Sequence, residues 1–139
     1  MEKSLFERLG GTGAITAVVE DFRDRCGGDP RINAKFARTD MARLTSMLID
    51  QVSEATGGPA KYTGRDMKTA HADMGVTAGE FNALVEDLVA TLNQFKVPSA
   101  EQEELLAILG PLKSEIVEVD SSEVGTALPD AFQAAPALV

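Results

Sequence analysis

The chain has a single histidine, His71, inside the stretch GGPAKYTGRDMKTAHADMGVTAGEF, residues 57–81. Met67, Ala70, His71 and Met74 fall at helical spacing on one face, and that face is apolar apart from the imidazole. An imidazole on an apolar face needs a partner for at least one ring nitrogen. A metal can take one nitrogen while the other donates to a backbone carbonyl, most simply that of Met67 one turn earlier. One histidine is too few for a bare zinc site, which needs several protein ligands. It is enough for haem, whose porphyrin supplies the equatorial nitrogens and leaves an axial position to the protein. His71 is therefore expected to be a metal ligand, holding the iron of haem b. The plainer alternative is a satisfied polar residue in a helical core.

A second residue breaks its own pattern. Ile15, Val18, Val19, Phe22 and Cys26 form the buried stripe of a helix from about Thr12 to Cys26, and Arg23 falls inside that stripe. A buried, unpaired guanidinium costs several kcal/mol. Arg23 must reach water along its stem, pair with an acidic group such as Glu54, or meet something anionic inside. Tyr62, the only tyrosine, stands in a glycine-rich loop near Lys61, Arg65 and Lys68, where it could hydrogen-bond a carboxylate.

The elements that would position these residues are all helices. Ser4 and Glu7 have capping-box spacing and open a short helix that Gly10 and Gly11 end. Gly27, Gly28, Asp29 and Pro30 end the helix carrying Arg23, and a single turn places Ile32 and Phe36 inward. Asp40 caps a helix from Met41 to about Thr56, stopped by Gly57, Gly58 and Pro59. Asp66 is the expected cap of the short histidine helix and Gly75 its end. Thr77 and Glu80 make a second box before the clearest stripe in the chain: Phe81, Leu84, Val85, Leu88, Val89, Leu92 and Phe95. Ser99 and Gln102 suggest a third box, and Gly110-Pro111 should bend the last helix. From Asp120 the chain lacks periodicity and reads as a mobile tail.

Composition narrows the function. Thirteen basic against 22 acidic residues give a net charge of −9. That argues against nucleic acid and against an anionic membrane surface as partners. The lone Cys26 forbids an intramolecular disulfide and is most simply an apolar filler. No apolar run has the length of a membrane span, and the N-terminus does not read as a signal peptide, so a cytoplasmic location is expected. There is no C-x-x-C pair, phosphate-cradling glycine loop or G-x-S-x-G elbow.

Taken in order, LFERLGG, VVEDF, Phe36, the Asp40-Met41 helix start, GGPAKYTGRDMKTAH, Phe81 and the final helix after VP resemble the truncated haemoglobins. The likeness is greatest to the first group of this two-over-two globin family and covers about residues 4–119. It implies an all-α sandwich, with helices 12–26 and 41–56 on the distal side of haem and 80–95 and 101–117 below. Residues 1–119 would be the globin domain and 120–139 the tail. By the same resemblance His71 is the proximal ligand, and Phe36 packs on the porphyrin. Leu44, Met47 and Leu48 face the distal side, and Met67, Val76, Phe81, Leu84 and Leu88 line the proximal wall. Tyr62, Lys61 and Lys68 lie near the propionates.

The departures from the family carry most of the functional information. Arg23 stands where relatives usually have a tyrosine, and Leu48 where many have a glutamine, so the pair that would hold dioxygen is absent. Arg23 pointing inward would act as the catalytic residue, donating to polarised or anionic ligands such as superoxide-like dioxygen, peroxide, nitrite or cyanide. Arg23 swung outward would leave an apolar pocket that holds dioxygen weakly. The expected function is thus oxygen binding or transport, or binding of NO, CO, cyanide or nitrite, with NO-detoxifying or peroxidase-like oxidoreductase activity. The expected partners are those ligands and a reductase, with the chain as a monomer. A second expectation makes Met47 a sixth ligand, in a six-coordinate His/Met electron-transfer or redox-sensing protein. A third, a helical interaction domain without haem, fits the intact histidine segment least.

Overall fold

The computed structural model describes residues 3–36, 39–63, 67–72 and 74–127. Among these residues the structure is helical, with no strand beyond an isolated parallel bridge between Thr77 and Val119. Helix α1, Leu5–Leu9, begins at a Ser4 cap whose hydroxyl accepts from the Glu7 amide while the Glu7 carboxylate accepts from the Ser4 amide. Gly10 ends it at φ 111°, a left-handed conformation, and a Cβ there would meet that of Ala14 at 2.8 Å. Gly11 follows at φ 80°, so both glycines make the corner, and α2 starts at Gly11, one residue before Thr12, and runs to Gly28.

Helix α2 buries Ile15, Val19 and Cys26 and packs across α3 and α5. A 3-10 turn, Asn33–Phe36, connects it towards α3, Met41–Ala55, which Asp40 caps by accepting from the Arg43 amide. Helix α4, Met67–Ala70, carries the turn into His71, and α5, Ala78–Gln94, starts at the Thr77–Glu80 box. The expected cap Asp66 and the loop cation Arg65 lie outside the described residues.

The expected third box does not form. Pro98 is the cap of α6, Ser99–Leu109, and supplies no side chain for it. Its fixed φ, −59°, already suits a helix start, so Ser99 becomes the first helical residue. The Gln102 amide instead donates to Val97 O at 2.9 Å and Asn93 Oδ1 at 3.0 Å. The bend at Gly110-Pro111 is present as a 3-10 turn, Gly110–Leu112, before α7, Lys113–Ile116.

Three apolar clusters hold these helices together. Leu5, Leu88, Leu92 and Leu105 join α1, α5 and α6, with Val18, Phe22 and Val52 against them. Cys26, Ile32 and Ala83 form the second, flanked by Phe22, Phe36 and Leu84. Met74, Val76 and Ile116 form the third, under the histidine turn. Beyond α7 the chain turns back, and residues 117–127 lie along the start of α5. Ala78 donates to Val119 O at 3.1 Å and Gly79 to Ser121 O at 3.0 Å. The remainder of the expected tail, residues 128–139, lies outside the described residues.

Candidate functional site

His71 follows α4 directly and is half-buried. Its Nδ1 lies 2.8 Å from the carbonyl oxygen of Met67. A carbonyl can only accept, so Nδ1 carries the hydrogen. That is the carbonyl expected from the spacing. The backbone amide of His71 reaches the same oxygen at 3.1 Å, which fixes the ring relative to the turn.

The side chains that the sequence assigns to the haem fall into two grades of burial. Val76 and Phe81 are buried, and Lys113 Nζ stands 6.0 Å from the Phe81 ring centroid. Phe36, Leu44, Met47, Leu48, Met67 and Leu84 are only half-buried. Apolar side chains left half-covered on α3, α5 and the 3-10 turn amount to surface that the protein's own packing does not use. Leu88, one turn beyond Leu84, belongs to the cluster with Leu5, Leu92 and Leu105.

Arg23 lies between α2 and α3. Its Nη1 donates to Thr45 Oγ1 at 3.2 Å and its Nε to Asp24 Oδ1 at 3.1 Å, with Nη2 in ion-pair range of the same carboxylate oxygen at 3.1 Å. The Thr45 hydroxyl in turn donates to Met41 O at 2.7 Å, so its lone pairs face the guanidinium. Glu54, an alternative partner for Arg23 in the sequence, instead faces Lys61 at 4.0 Å. The reason is position: Thr45 is on the same turn of α3 as Leu44, across from Arg23, while Glu54 is at the far end of that helix. Tyr62 is half-buried, and Lys61 and Lys68 are exposed.

Sequence reasoning missed two polar residues, Thr45 and Lys35, and read a third, Glu80, only as a helix cap. Thr45 is a buried hydroxyl inside the α3 stripe, and its place opposite Arg23 was the available signal. Lys35 and Glu80, 4% and 2% exposed, form a buried pair with Nζ to Oε1 at 3.8 Å. Charged residues are ordinarily read as surface, so nothing in the pattern marked Lys35.

A second polar cluster stands at the end of α2. Hydrogen bonds from Arg31 hold the Asp29 carboxyl down at about 2. Burial, and then the hydrogen bond it shares with Asp29, push Asp87 up to about 6. Oδ2 of Asp87 is buried without a conventional donor, which is accounted for if that oxygen carries the proton itself and donates to Asp29. Burial raises the Cys26 thiol well above its ordinary value, so Cys26 is no nucleophile.

The family profile described as bacterial-like globin matches residues 4–118. A group 1 truncated hemoglobin of Mycolicibacterium paratuberculosis is 34% identical over 121 residues, covering 87% of this chain and 89% of the relative. The chain belongs to the group 1 truncated haemoglobins. Another member, from Synechocystis, is 38% identical over 111 residues, covering 77% of this chain and 90% of the relative. The Fe(III) crystal structure of truncated hemoglobin from Tetrahymena pyriformis superposes with a TM-score of 0.79 at 30% identity, over 83% of this chain and 98% of that one. A Synechococcus 2/2 hemoglobin in the cyanomet state, with covalently attached heme, also gives 0.79, at 34% identity and with the same coverage.

The two-over-two arrangement expected from the sequence is therefore this truncated haemoglobin's fold, and its cofactor is haem. The residues present fit that cofactor. An imidazole whose Nδ1 hydrogen is held by a carbonyl has the second bond usual for an iron-binding histidine, and half-buried apolar side chains suit the faces of a porphyrin. No described helix of this truncated haemoglobin is long and apolar enough to cross a membrane.

Proposed function

We propose that His71 holds the haem iron and that Arg23, tethered by Thr45, sorts the small ligands that approach from the opposite side. The observation that carries the reading is the Nδ1 hydrogen bond of His71 to Met67 O at 2.8 Å, the bond by which a metal-binding histidine is ordinarily oriented. Haem supplies a Lewis-acidic, redox-active iron with room for a diatomic or small anionic ligand. Phe36, Leu44, Met47, Leu48, Met67, Val76, Phe81 and Leu84 would cover the porphyrin and keep water from it. Tyr62, Lys61 and Lys68 would face its propionates.

Arg23 gives the pocket its character. Thr45 and Asp24 accept two of its five N–H groups, one from Nη1 and the one on Nε, and leave three on the terminal nitrogens. Those donors favour ligands that carry or develop negative charge: nitrite, peroxide, cyanide and polarised dioxygen. Asp24 is mostly exposed, so water screens the partial neutralisation it imposes. The activity this supports is ligand binding with peroxide- or nitrite-type reduction, in a monomer supplied with electrons by a reductase. NO dioxygenation is supported less, because the tyrosine–glutamine pair that retains dioxygen in relatives is absent. Met47 is half-buried on the same face of α3 as Leu44 and Leu48, and we assign it to packing rather than to the iron.

The test is Arg23→Leu beside Arg23→Lys in protein loaded with haem. Arg23→Leu should weaken cyanide or nitrite binding by about tenfold to a hundredfold, the loss of one charge-assisted hydrogen bond, while CO binding changes far less. Arg23→Lys should recover part of the loss. Equal effects on CO and cyanide would place Arg23 outside the ligand pocket.

A further inference from the structure

Residues 117–127 satisfy the backbone that joins the histidine turn to α5. The Glu118 carboxylate accepts from the Gly75 amide at 2.7 Å. The amides of Glu118 and Val119 donate to Val76 O at 2.9 and 3.1 Å, and the Thr77 hydroxyl donates to Glu123 O. At Gly79 the approach is close enough to demand glycine: a Cβ there would lie 2.4 Å from the Ser122 carbonyl oxygen and 2.8 Å from that of Glu123.

The far end of this run is anchored on the buried pair. The amide and hydroxyl of Thr126 both donate to Glu80 Oε2 at 2.7 Å, and the Gly125 amide donates to Arg31 O at 2.6 Å. Lys35 Nζ donates to Ala127 O at 3.0 Å and to Met74 O at 2.8 Å. A buried ammonium is tolerable only when it is paired and hydrogen-bonded, and here three oxygens surround it. Met74 is the link to the site, because its amide donates to His71 O at 3.2 Å. Lys35 also directly precedes Phe36. One buried amine therefore ties the histidine turn, the Phe36 turn and the end of the strap to a single point.

We propose that residues 117–127 are a strap that positions His71 on the iron, with Lys35 and Glu80 as its positioning residues. The proposal rests on His71 being the iron ligand. Its test uses the full chain loaded with haem, comparing Gly79→Ala and Thr126→Val with wild type. Leu105→Ala, in the cluster with Leu5 and Leu92, controls for general loss of stability.

The readouts are the iron–histidine stretching band of the ferrous protein by resonance Raman, the rate of haem transfer to an acceptor apoglobin, and amide exchange of the haem-free chain over residues 74–79. Both strap variants should shift the band, speed haem loss by about tenfold, as for other partners that orient a metal's ligand, and speed exchange over 74–79. Thr126→Ser should restore wild-type behaviour, and Leu105→Ala should leave the band in place. Alanine is the better helix former, so without a strap against α5 Gly79→Ala would be neutral or stabilising. Unchanged bands and haem loss in both strap variants, in a protein whose wild type shows the histidine band, would overturn the strap alone. A wild type with no such band would overturn the His71 assignment and the strap with it.

Discussion

At His71 the carbonyl of Met67 takes the Nδ1 hydrogen, and at Arg23 the Thr45 hydroxyl and the Asp24 carboxylate hold the guanidinium. Both side chains are oriented by neighbours that accept their hydrogens. The carboxyl pair at the end of α2 shows the same dependence on neighbours, with consequences for pH. Asp87, raised to about 6, stabilises the fold while protonated. That contribution is full below its ordinary 3.8 and is lost as pH rises through about 6. Asp29, held at about 2, contributes above 3.8 and loses that contribution as pH falls through about 2. The pair therefore stabilises most near pH 4 and less at neutrality. Asp87→Asn keeps a donor for Asp29 without a charge. It should raise stability at pH 7 by on the order of 1 kcal/mol and flatten the dependence between pH 4 and 6, read by urea unfolding across that range.

Among the elements, the corners carry the sharpest constraints. Gly57 takes φ +93°, and a Cβ on Gly58 would come within 2.4 Å of the Phe6 ring and 2.5 Å of Ser53 Oγ. The glycine pair after α3 is thus the seat of α1, whose Phe6 amide donates to Thr56 O at 2.8 Å. Gly58→Ala should cost about 1–3 kcal/mol in thermal or urea unfolding, the usual cost of overpacking a filled site. A neutral Gly58→Ala would mean that α1 does not pack there. Helix starts were legible where a side chain caps, as at Ser4, Asp40 and Thr77. At Ser99 the local pattern misled, because proline geometry set the start one residue earlier. The strap was not legible at all. Its contacts join residues far apart in the chain, half of them backbone to backbone, and Gly79, which the close approach demands, is lost among the other glycines.

For the whole molecule, α2 packs on both α3 and α5, α1 on α6, and α7 on both α5 and the α4 turn that leads to His71. The helices and the histidine turn followed from the sequence, because apolar spacing, the glycine break and the single histidine are all local features. The Met67 hydrogen bond was legible for the same reason, being one turn away. Arg23–Thr45 and Lys35–Glu80 were not, since each joins residues far apart in the chain and neither is fixed by periodicity. The account stands on His71, and the visible absorption spectrum tests it most directly: ferric and ferrous protein after addition of hemin, wild type beside His71→Ala. The account predicts a Soret band in wild type with an open or water-filled sixth position, and its collapse or displacement in His71→Ala. An unchanged Soret band in His71→Ala would contradict it, because the iron would then be held by some other residue.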